Sequence, residues 1–155
     1  MLYRGGKEQK IRKYLLEGNF IDAVIQLPPN LFFGTSIATC IIVLRKSKTD
    51  DSVLFIDASE RFVHVGNQNQ LSPDDITAIM DAYVKREPVE HFSAVASLED
   101  IRKNDYVLSV SGYVQPEDTR EKIDIAALNR QISDIVAREN ELRAQIDAIV
   151  ADLEN

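Results

Sequence analysis

Residues 5–46 read GGKEQKIRKYLLEGNFIDAVIQLPPNLFFGTSIATCIIVLRK and combine a helix pattern with two apolar runs separated by an aromatic loop. A helix is predicted over Lys7–Glu17, because its apolar residues share one face and a Gly-Asn pair follows. Strands are predicted over Phe20–Leu27, which two prolines end, and over Ala38–Arg45. Pro28–Ile37 is predicted to be a loop. Apolar strands around an aromatic loop are typical of the end of an α/β sheet, where ligands bind outside the strand ends.

A third strand is predicted over Ser52–Asp57, whose sequence is SVLFID. About seven residues connect it to the second strand, and a connection of that length favours a hairpin-like pair. The second strand, Ala38–Arg45, is almost entirely apolar, which predicts that both of its faces are covered. Cys40 lies inside this strand and is expected to be buried as a small hydrophobic residue.

The composition is that of a soluble globular chain, with 45% of the 155 residues hydrophobic and 28% charged. The net charge of −7 argues against a protein that wraps nucleic acid, although a local basic patch on the first helix stays open. A single cysteine cannot form an intrachain disulfide, and no apolar run approaches the ~20 residues of a membrane span. With no secretory signal, a cytoplasmic location and no membrane partner are expected. The basic patch would comprise Arg4, Lys7, Lys10, Arg12 and Lys13.

The middle of the chain predicts a mixed helical and extended connecting region over residues 61–120, following a piece of an α/β domain over residues 1–60. Ser72 precedes a proline and two aspartates, so it is expected to cap the N-terminus of a helix. Ser97 is expected to cap a second, shorter helix. The stretch 64–70 is polar and rich in turn-forming residues.

Residues 121–155 are predicted to form a long helix with a coiled-coil-like seam, because apolar residues recur three and four positions apart. Glu139 is the one polar residue in this register and would favour a particular partner or alignment. The seam could pack on the helix predicted near residues 73–86, or on another long helix of the same or a different subunit. Its members are Ile125, Leu128, Ile132, Ile135, Leu142, Ile146, Ile149 and Leu153.

The loop between the first two strands contains the candidate binding residues Phe32, Phe33 and Thr35. The two phenylalanines could pack beneath the sheet, or they could form a stacking surface for a base lifted out of a duplex. Thr35 could contact a phosphate or hold the loop by a local hydrogen bond. Asp57 is expected to serve a turn or a helix cap, with a catalytic role as the alternative. His64 and His91 have no second ligand at metal spacing, so no metal site is predicted.

Three segments resemble the C-terminal part of the modification (M) subunit of type I restriction–modification systems. They are residues 5–46 as quoted above, then VLFIDAS, then LEDIRKNDYVLSVSGYV, and the resemblance extends from about Arg4 to Val114. Members of that family are S-adenosylmethionine-dependent methyltransferases that modify the N6 amine of adenine in DNA.

The resemblance implies an α/β fold that is the C-terminal portion of a doubly wound methyltransferase sheet. Two to three strands with flanking helices would be followed by a helical region that ends in the long coiled-coil-like helix. On this map Phe20–Leu27 and Ala38–Arg45 are the last two strands, the final one inserted antiparallel. The loop Pro28–Ile37 would lie near the pocket for the target base.

The family's glycine-rich cofactor motif and its Asn-Pro-Pro-aromatic catalytic motif belong earlier in the family's chain, and neither occurs here. Pro28-Pro29-Asn30 has the reverse order, which would not serve the same chemistry. No catalytic or cofactor-binding residue is therefore carried over. S-adenosylmethionine is the cofactor of the full family enzyme, and this chain alone is expected not to bind it.

The resemblance implies a C-terminal fragment that completes the catalytic domain and docks on the specificity (S) subunit through its last helix. The expected partners are the S subunit, the remainder of the M subunit and, within the assembled complex, DNA. Self-association as a homodimer, through the terminal helix or the exposed strands, is a further expectation. The alternative function is a self-associating coiled-coil module without a role on DNA.

Overall fold

The computed structural model describes residues 2–117 and 125–153, which fall into two compact units, Met1–Glu117 and Asp118–Asn155. The described part of the second unit is the helix α4 (Ile125–Leu153). The side chain of Leu153, and residues 121–124 and 154–155 of the predicted long helix, lie outside the described part of the chain. The elements of the first unit are, in order, α1 (Lys7–Glu17), β1 (Ile21–Gln26), β2 (Cys40–Leu44), β3 (Val53–Asp57), β4 (Val63–Val65), β5 (Gln68–Gln70), α2 (Pro73–Lys85), β6 (Ser93–Ala96), α3 (Leu98–Lys103) and a 3-10 turn (Val110–Gly112).

The main sheet has the strand order β2-β1-β3-β6. β1 is parallel to β3 and antiparallel to β2, while β6 is antiparallel to β3. The predicted helix over Lys7–Glu17 is confirmed, and each of the three predicted strands contains an observed one. The hairpin-like pairing of the second and third strands is wrong, because β2 and β3 lie on opposite sides of β1.

The sheet has four strands where two to three were predicted, and the additional strand is β6. Ser93–Ala96 is a four-residue strand with the sequence SAVA, which carries too few large apolar residues to give a strand pattern. The polar stretch 64–70 also forms regular structure, because β4 and β5 pair as a small antiparallel hairpin. Its two-residue turn contains Gly66, whose φ of 62° suits a tight hairpin turn.

The centre of the sheet is covered on both faces, giving a three-layer α/β/α arrangement. On one face, Leu16 of α1 and Ile101 of α3 pack with Val24 and Phe55 of the strands. The ring of Phe55 stacks on Tyr113 with 4.0 Å between the ring centroids. On the other face, residues of α2 pack with the alternate strand positions; the buried members there are Ala23, Ile25, Leu27, Leu54, Ile56, Ala58, Ile79 and Ala82.

The expectation that Ala38–Arg45 is covered on both faces is wrong for this chain. β2 lies at the edge of the sheet and pairs only with β1 among the residues that the structure describes. Ile41 and Leu44 are 46% and 57% exposed. Cys40 is half-buried where full burial was expected, and its partial desolvation still raises the pKa of the thiol. The apolar sequence of β2 is typical of a covered strand, but among the described residues no strand pairs with its outer edge.

Both predicted helix caps are present. The hydroxyl of Ser72 accepts a hydrogen bond from the Asp75 N–H at 3.2 Å, and the Asp75 carboxylate accepts one from the Ser72 N–H at 3.0 Å. This reciprocal capping box uses aspartate in the place that glutamate or glutamine usually takes. Ser97 accepts from the Asp100 N–H in the same way at the start of α3. The two caps fix where α2 and α3 begin, and so fix how they approach the sheet.

Candidate functional site

The loop Pro28–Ile37 leaves the sheet at the carboxyl end of β1. Gln26 of β1 is aligned with Asp57 of β3, and the two strands are parallel. The segments that follow them therefore emerge at the same edge, where ligands of open α/β sheets bind. The Ala58 N–H donates to the Gln26 carbonyl at 3.0 Å, which ties the two strand ends together.

The first residues of the loop are held in place. Pro28 is fully buried. Asn69 of β5 donates from its backbone N–H to the Asn30 carbonyl at 3.0 Å and from its side-chain Nδ2 to the Pro29 carbonyl at 2.8 Å. The side chain of Asn69 is itself buried, with 5% of the residue exposed. The burial of Asn69 could not be predicted from the sequence, because nothing in a polar run of Asn and Gln residues marks one of them as buried.

The tip of the loop points its aromatic residues into solvent. Phe32 is 52% exposed and Phe33 is 95% exposed. Thr35 accepts a hydrogen bond at its hydroxyl from the Ile37 N–H at 3.2 Å, so within this chain it makes a local loop contact. Burying a Phe side chain is worth roughly 2 kcal/mol, so two adjacent exposed phenylalanines favour a surface that another molecule covers.

A cleft lies beside the ends of β3 and β6. Its volume is about 340 Å³, and its lining includes Asp57, Arg61, His91 and Phe92. The guanidinium of Arg61 lies 4.3 Å from the centre of the Phe92 ring. Asp57 accepts a hydrogen bond from the Ser59 N–H at 3.0 Å, which is a turn contact. Within residues 2–117 and 125–153, no three His, Cys, Asp or Glu side chains lie close enough together to hold a metal ion.

Exposed apolar side chains flank the free edge of β2 on both faces of the sheet, since Ile42 packs with the α1 side of the core and Val43 with the α2 side. Ile37 and Tyr14 are 74% and 70% exposed, and Ile41 and Leu44 add the strand's own side chains. Tyr14 is grouped with these residues because its ring lies 6.2 Å from that of Phe20, whose carbonyl accepts from the Arg45 N–H just after β2. We call these four residues (Tyr14, Ile37, Ile41 and Leu44) the β2-edge surface.

The basic patch predicted on the first helix is only partly a surface. Arg12 is 1% exposed, and its guanidinium donates to the Tyr106 carbonyl at 2.9 Å and to the Arg4 carbonyl at 2.7 Å. It therefore fastens α1 to the loop before the 3-10 turn. Lys7, Lys10 and Lys13 remain exposed.

The second unit consists of the long helix that the heptad pattern predicted. α4 contains 29 residues and is about 43 Å long at 1.5 Å per residue. The apolar side chains of the seam are 47% to 68% exposed where the structure describes them, namely at Ile125, Leu128, Ile132, Ile135, Leu142, Ile146 and Ile149. A coiled coil requires a second helix, so that part of the expectation stays a prediction. None of the described helices is both long and apolar enough to span a membrane.

The sequence of this chain is similar to that of a known protein family. The family model of the N-6 DNA methylases matches residues 1–122. The MpnII methylase subunit of a Mycoplasma pneumoniae type I restriction enzyme is 45% identical over 154 residues, which are 99% of this chain and 28% of that protein. The MjaVII methylase subunit of Methanocaldococcus jannaschii is 39% identical over 151 residues, 94% of this chain and 26% of that one.

The solved structures agree with the sequence relatives. The type I restriction–modification methyltransferase subunit of Streptococcus thermophilus has a TM-score of 0.73 and 47% identity, covering 74% of this chain and 24% of that chain. This chain thus spans roughly a quarter of the length of the proteins it matches. It belongs to the N-6 DNA methylase family and corresponds to a fragment of the methylase subunit of a type I restriction–modification system.

Proposed function

We propose that this chain acts by assembly, as the C-terminal part of a type I subunit that methylates the N6 amine of adenine in DNA. It would complete the catalytic domain, line part of the target-base pocket, and dock on the S subunit. The observation that carries the proposal is the uncovered outer side of β2, an apolar strand whose sequence suits the interior of a sheet.

The first role rests on the β2-edge surface. An edge strand exposes unpaired N–H and C=O groups, and natural proteins cover or charge such edges. β2 has no charged residue between Cys40 and Leu44, and its neighbours Tyr14 and Ile37 are also exposed. A strand from the remainder of the methylase subunit would pair with this edge and bury these side chains.

Substitution of an edge residue tests that pairing. Ile41→Lys places a charge on the outer strand while leaving the centre of the sheet intact, so this chain should remain folded. The Ile41→Lys substitution should abolish complex formation between this chain and the separately produced remainder of the subunit, measured by sedimentation. Val95→Lys is the matched control, since Val95 is 39% exposed on β6 at the opposite edge. If the two variants assemble equally well, β2 is not the joining edge.

The second role belongs to the loop tip. Phe32 or Phe33 would stack on the adenine after it leaves the duplex, because flipped bases are held between aromatic or apolar side chains. Thr35 would maintain the loop or contact a phosphate. In the assembled methylase, Phe33→Ala should lower the methylation rate by roughly tenfold, since stacking on one base is worth about 1–3 kcal/mol. Val84→Ala on α2 removes another exposed side chain and should leave the rate unchanged.

The third role belongs to α4. Its apolar seam would pack on the S subunit's long helices. The seam residues are Leu128, Ile132, Ile135, Leu142, Ile146, Ile149 and Leu153. The alternative is a self-associating coiled-coil module without a DNA role, which the same exposed stripe favours. Sedimentation of the chain with and without residues 121–155 separates them. A homodimer that is lost on truncation, with no affinity for an S subunit, would support the alternative.

The chemistry itself would come from residues outside this chain. These 155 residues contain neither the glycine-rich cofactor motif nor the Asn-Pro-Pro-aromatic motif of the family. S-adenosylmethionine would therefore bind the assembled subunit and not this chain alone. Calorimetry with S-adenosylmethionine and transfer of labelled methyl groups to DNA test this directly. We expect no signal from the chain by itself and activity after the remainder of the subunit is added; methylation by the isolated chain would overturn the proposal.

A further inference from the structure

The β4–β5 hairpin lies against the first residues of the candidate base loop. Asn69 is the contact point, and its hydrogen bonds to the carbonyls of Pro29 and Asn30 join residues that are 40 and 39 positions apart in the sequence. Asn30 has a φ of 58°, in the left-handed region, so the chain turns sharply where Asn69 holds it. The loop therefore has a clamped stem, Pro28–Asn30, and an exposed tip that includes Phe32 and Phe33.

Contacts on both sides of the β4–β5 hairpin fix its position relative to α2 and the sheet. Before β4, Arg61 stacks on Phe92 and lies 4.0 Å from the carboxylate of Asp75. After β5, Leu71 packs against the α2 side of the core, and Ser72 begins the capped helix α2. Positions that are held by packed neighbours transmit their geometry to what they contact.

We propose that Asn69 is a positioning residue that sets the direction in which the loop presents Phe32 and Phe33 to the target base. This inference rests on the proposed function of the loop. Asn69 acts through its hydrogen bonds to the carbonyls of Pro29 and Asn30. Both carbonyls lie at a proline-rich bend where the strand ladder has ended, so without Asn69 nothing described replaces these two donors.

The absence of tryptophan from the chain offers a direct test. Phe33→Trp places one fluorophore at the loop tip, and its time-resolved anisotropy measures the local motion of the loop. Asn69→Asp removes the Nδ2 donor at nearly constant shape. Asn67→Asp makes the same chemical change at the exposed hairpin turn and is the control.

We expect the amplitude of the nanosecond anisotropy decay to rise at least twofold in Asn69→Asp and to stay unchanged in Asn67→Asp. Loss of one such hydrogen bond shifts a local open–closed equilibrium by roughly fivefold. If the Asn69→Asp variant fails to fold, as judged by circular dichroism, Asn69→Ser replaces it; serine is too short to reach the Pro29 carbonyl. Equal decays in the position-69 and position-67 variants would overturn the proposal.

A second readout uses the assembled methylase. Asn69→Asp should lower kcat by roughly fivefold, the same shift expected for one hydrogen bond, and leave the KM for S-adenosylmethionine unchanged. A merely structural role would lower activity only in proportion to the folded fraction. The anisotropy result does not depend on catalysis. If Phe33→Ala has no effect on methylation, the proposed role of the loop fails even where Asn69 is found to position it.

Discussion

β1 and β2 are neighbouring strands of similar apolar composition with opposite surroundings. β1 has the sequence IDAVIQ and is buried along nearly its whole length, whereas CIIVL in β2 is half-exposed. The difference shows that an apolar strand pattern does not by itself determine how far a strand is covered, because the neighbouring elements decide its exposure. For β1 the covering elements are α1, α2 and the adjacent strands. For β2 we propose that the remainder of the methylase subunit supplies the missing neighbour.

The most direct way to sharpen this comparison is to make the same change in both strands. Ile25 and Ile41 are directly paired in the sheet, yet they are 6% and 46% exposed. Ile25→Ala should lower the free energy of unfolding by about 3 kcal/mol through lost burial and a residual cavity. Ile41→Ala should cost less than about 1 kcal/mol, because much of its side chain is already in water. Denaturant unfolding of the two variants measures both values.

Equal losses for the two isoleucines would contradict the comparison and would mean that the outer side of β2 is covered in solution. A self-associated chain would give that result. The unfolding midpoints should therefore be measured at two protein concentrations, since the stability of an associated form depends on concentration.

A second prediction concerns the charge buried within β1. Asp22 is 1% exposed; its carboxylate accepts from the Tyr83 hydroxyl at 2.8 Å and lies 3.0 Å from the Arg86 guanidinium. Asp22→Ala should destabilise the fold by about 2 kcal/mol, less than a fully buried pair would lose, because Arg86 retains access to water. Asp81→Ala breaks the exposed pair with Lys85 and should cost below about 0.5 kcal/mol.

The same hydrogen-bond network also predicts a change in the titration of Tyr83, which can be measured independently of stability. The hydrogen bond to Asp22 and partial burial raise the pKa of Tyr83. Absorbance titration of the tyrosines should show one group moving toward its ordinary pKa in Asp22→Ala. A titration curve that does not change would mean that Tyr83 does not contact Asp22 in solution.

A third prediction concerns the helix that covers β1 and β3 but not the outer side of β2. Ser72→Ala removes the N-cap of α2 and should cost about 1 kcal/mol, measured by thermal or denaturant unfolding. Thr77→Ala is the control, because the Thr77 hydroxyl bonds back to the Pro73 carbonyl within the helix, a contact that adds little stability. Equal effects at the two positions would show that the cap is not formed.

The features that could be predicted from the sequence are those whose signals are local. Each of these signals lies within one continuous segment of the chain. They are the helix over Lys7–Glu17, the strand patterns, the cap at Ser72 and the long C-terminal helix. The strand order could not be predicted, since pairing of β3 with both β1 and the short β6 depends on distant segments. The buried contacts of Asn69 and of Arg12, which was assigned to a basic surface patch, could not be predicted for the same reason: these partners lie 40 and 94 residues away along the chain.

The smallest predicted effect is a pH dependence of stability that comes from a contact of α1, the helix that covers β1. Glu17, at the end of α1, accepts hydrogen bonds from Arg102 and from the Tyr106 hydroxyl, and these lower its pKa to about 2. The unfolded chain, whose glutamate titrates near 4.5, then binds more protons between these two values. Stability from this contact is complete above about pH 4.5 and is lost as the pH falls toward 2.

Glu17→Gln should therefore reduce the slope of stability against pH between about 4.5 and 2, with little change in that slope at neutral pH. The effect is small because the pair is exposed and screened by water and salt. Urea unfolding at pH 3, 4 and 7 measures it, with Glu60→Gln as the charge-matched control. Because α1 covers β1 and not the outer side of β2, the acid-sensitive contact acts on the covered strand. If Glu17→Gln leaves the slope as it is in the parent chain, α1 is not fastened to α3 by this contact, and the cover over β1 rests on apolar packing and Arg12.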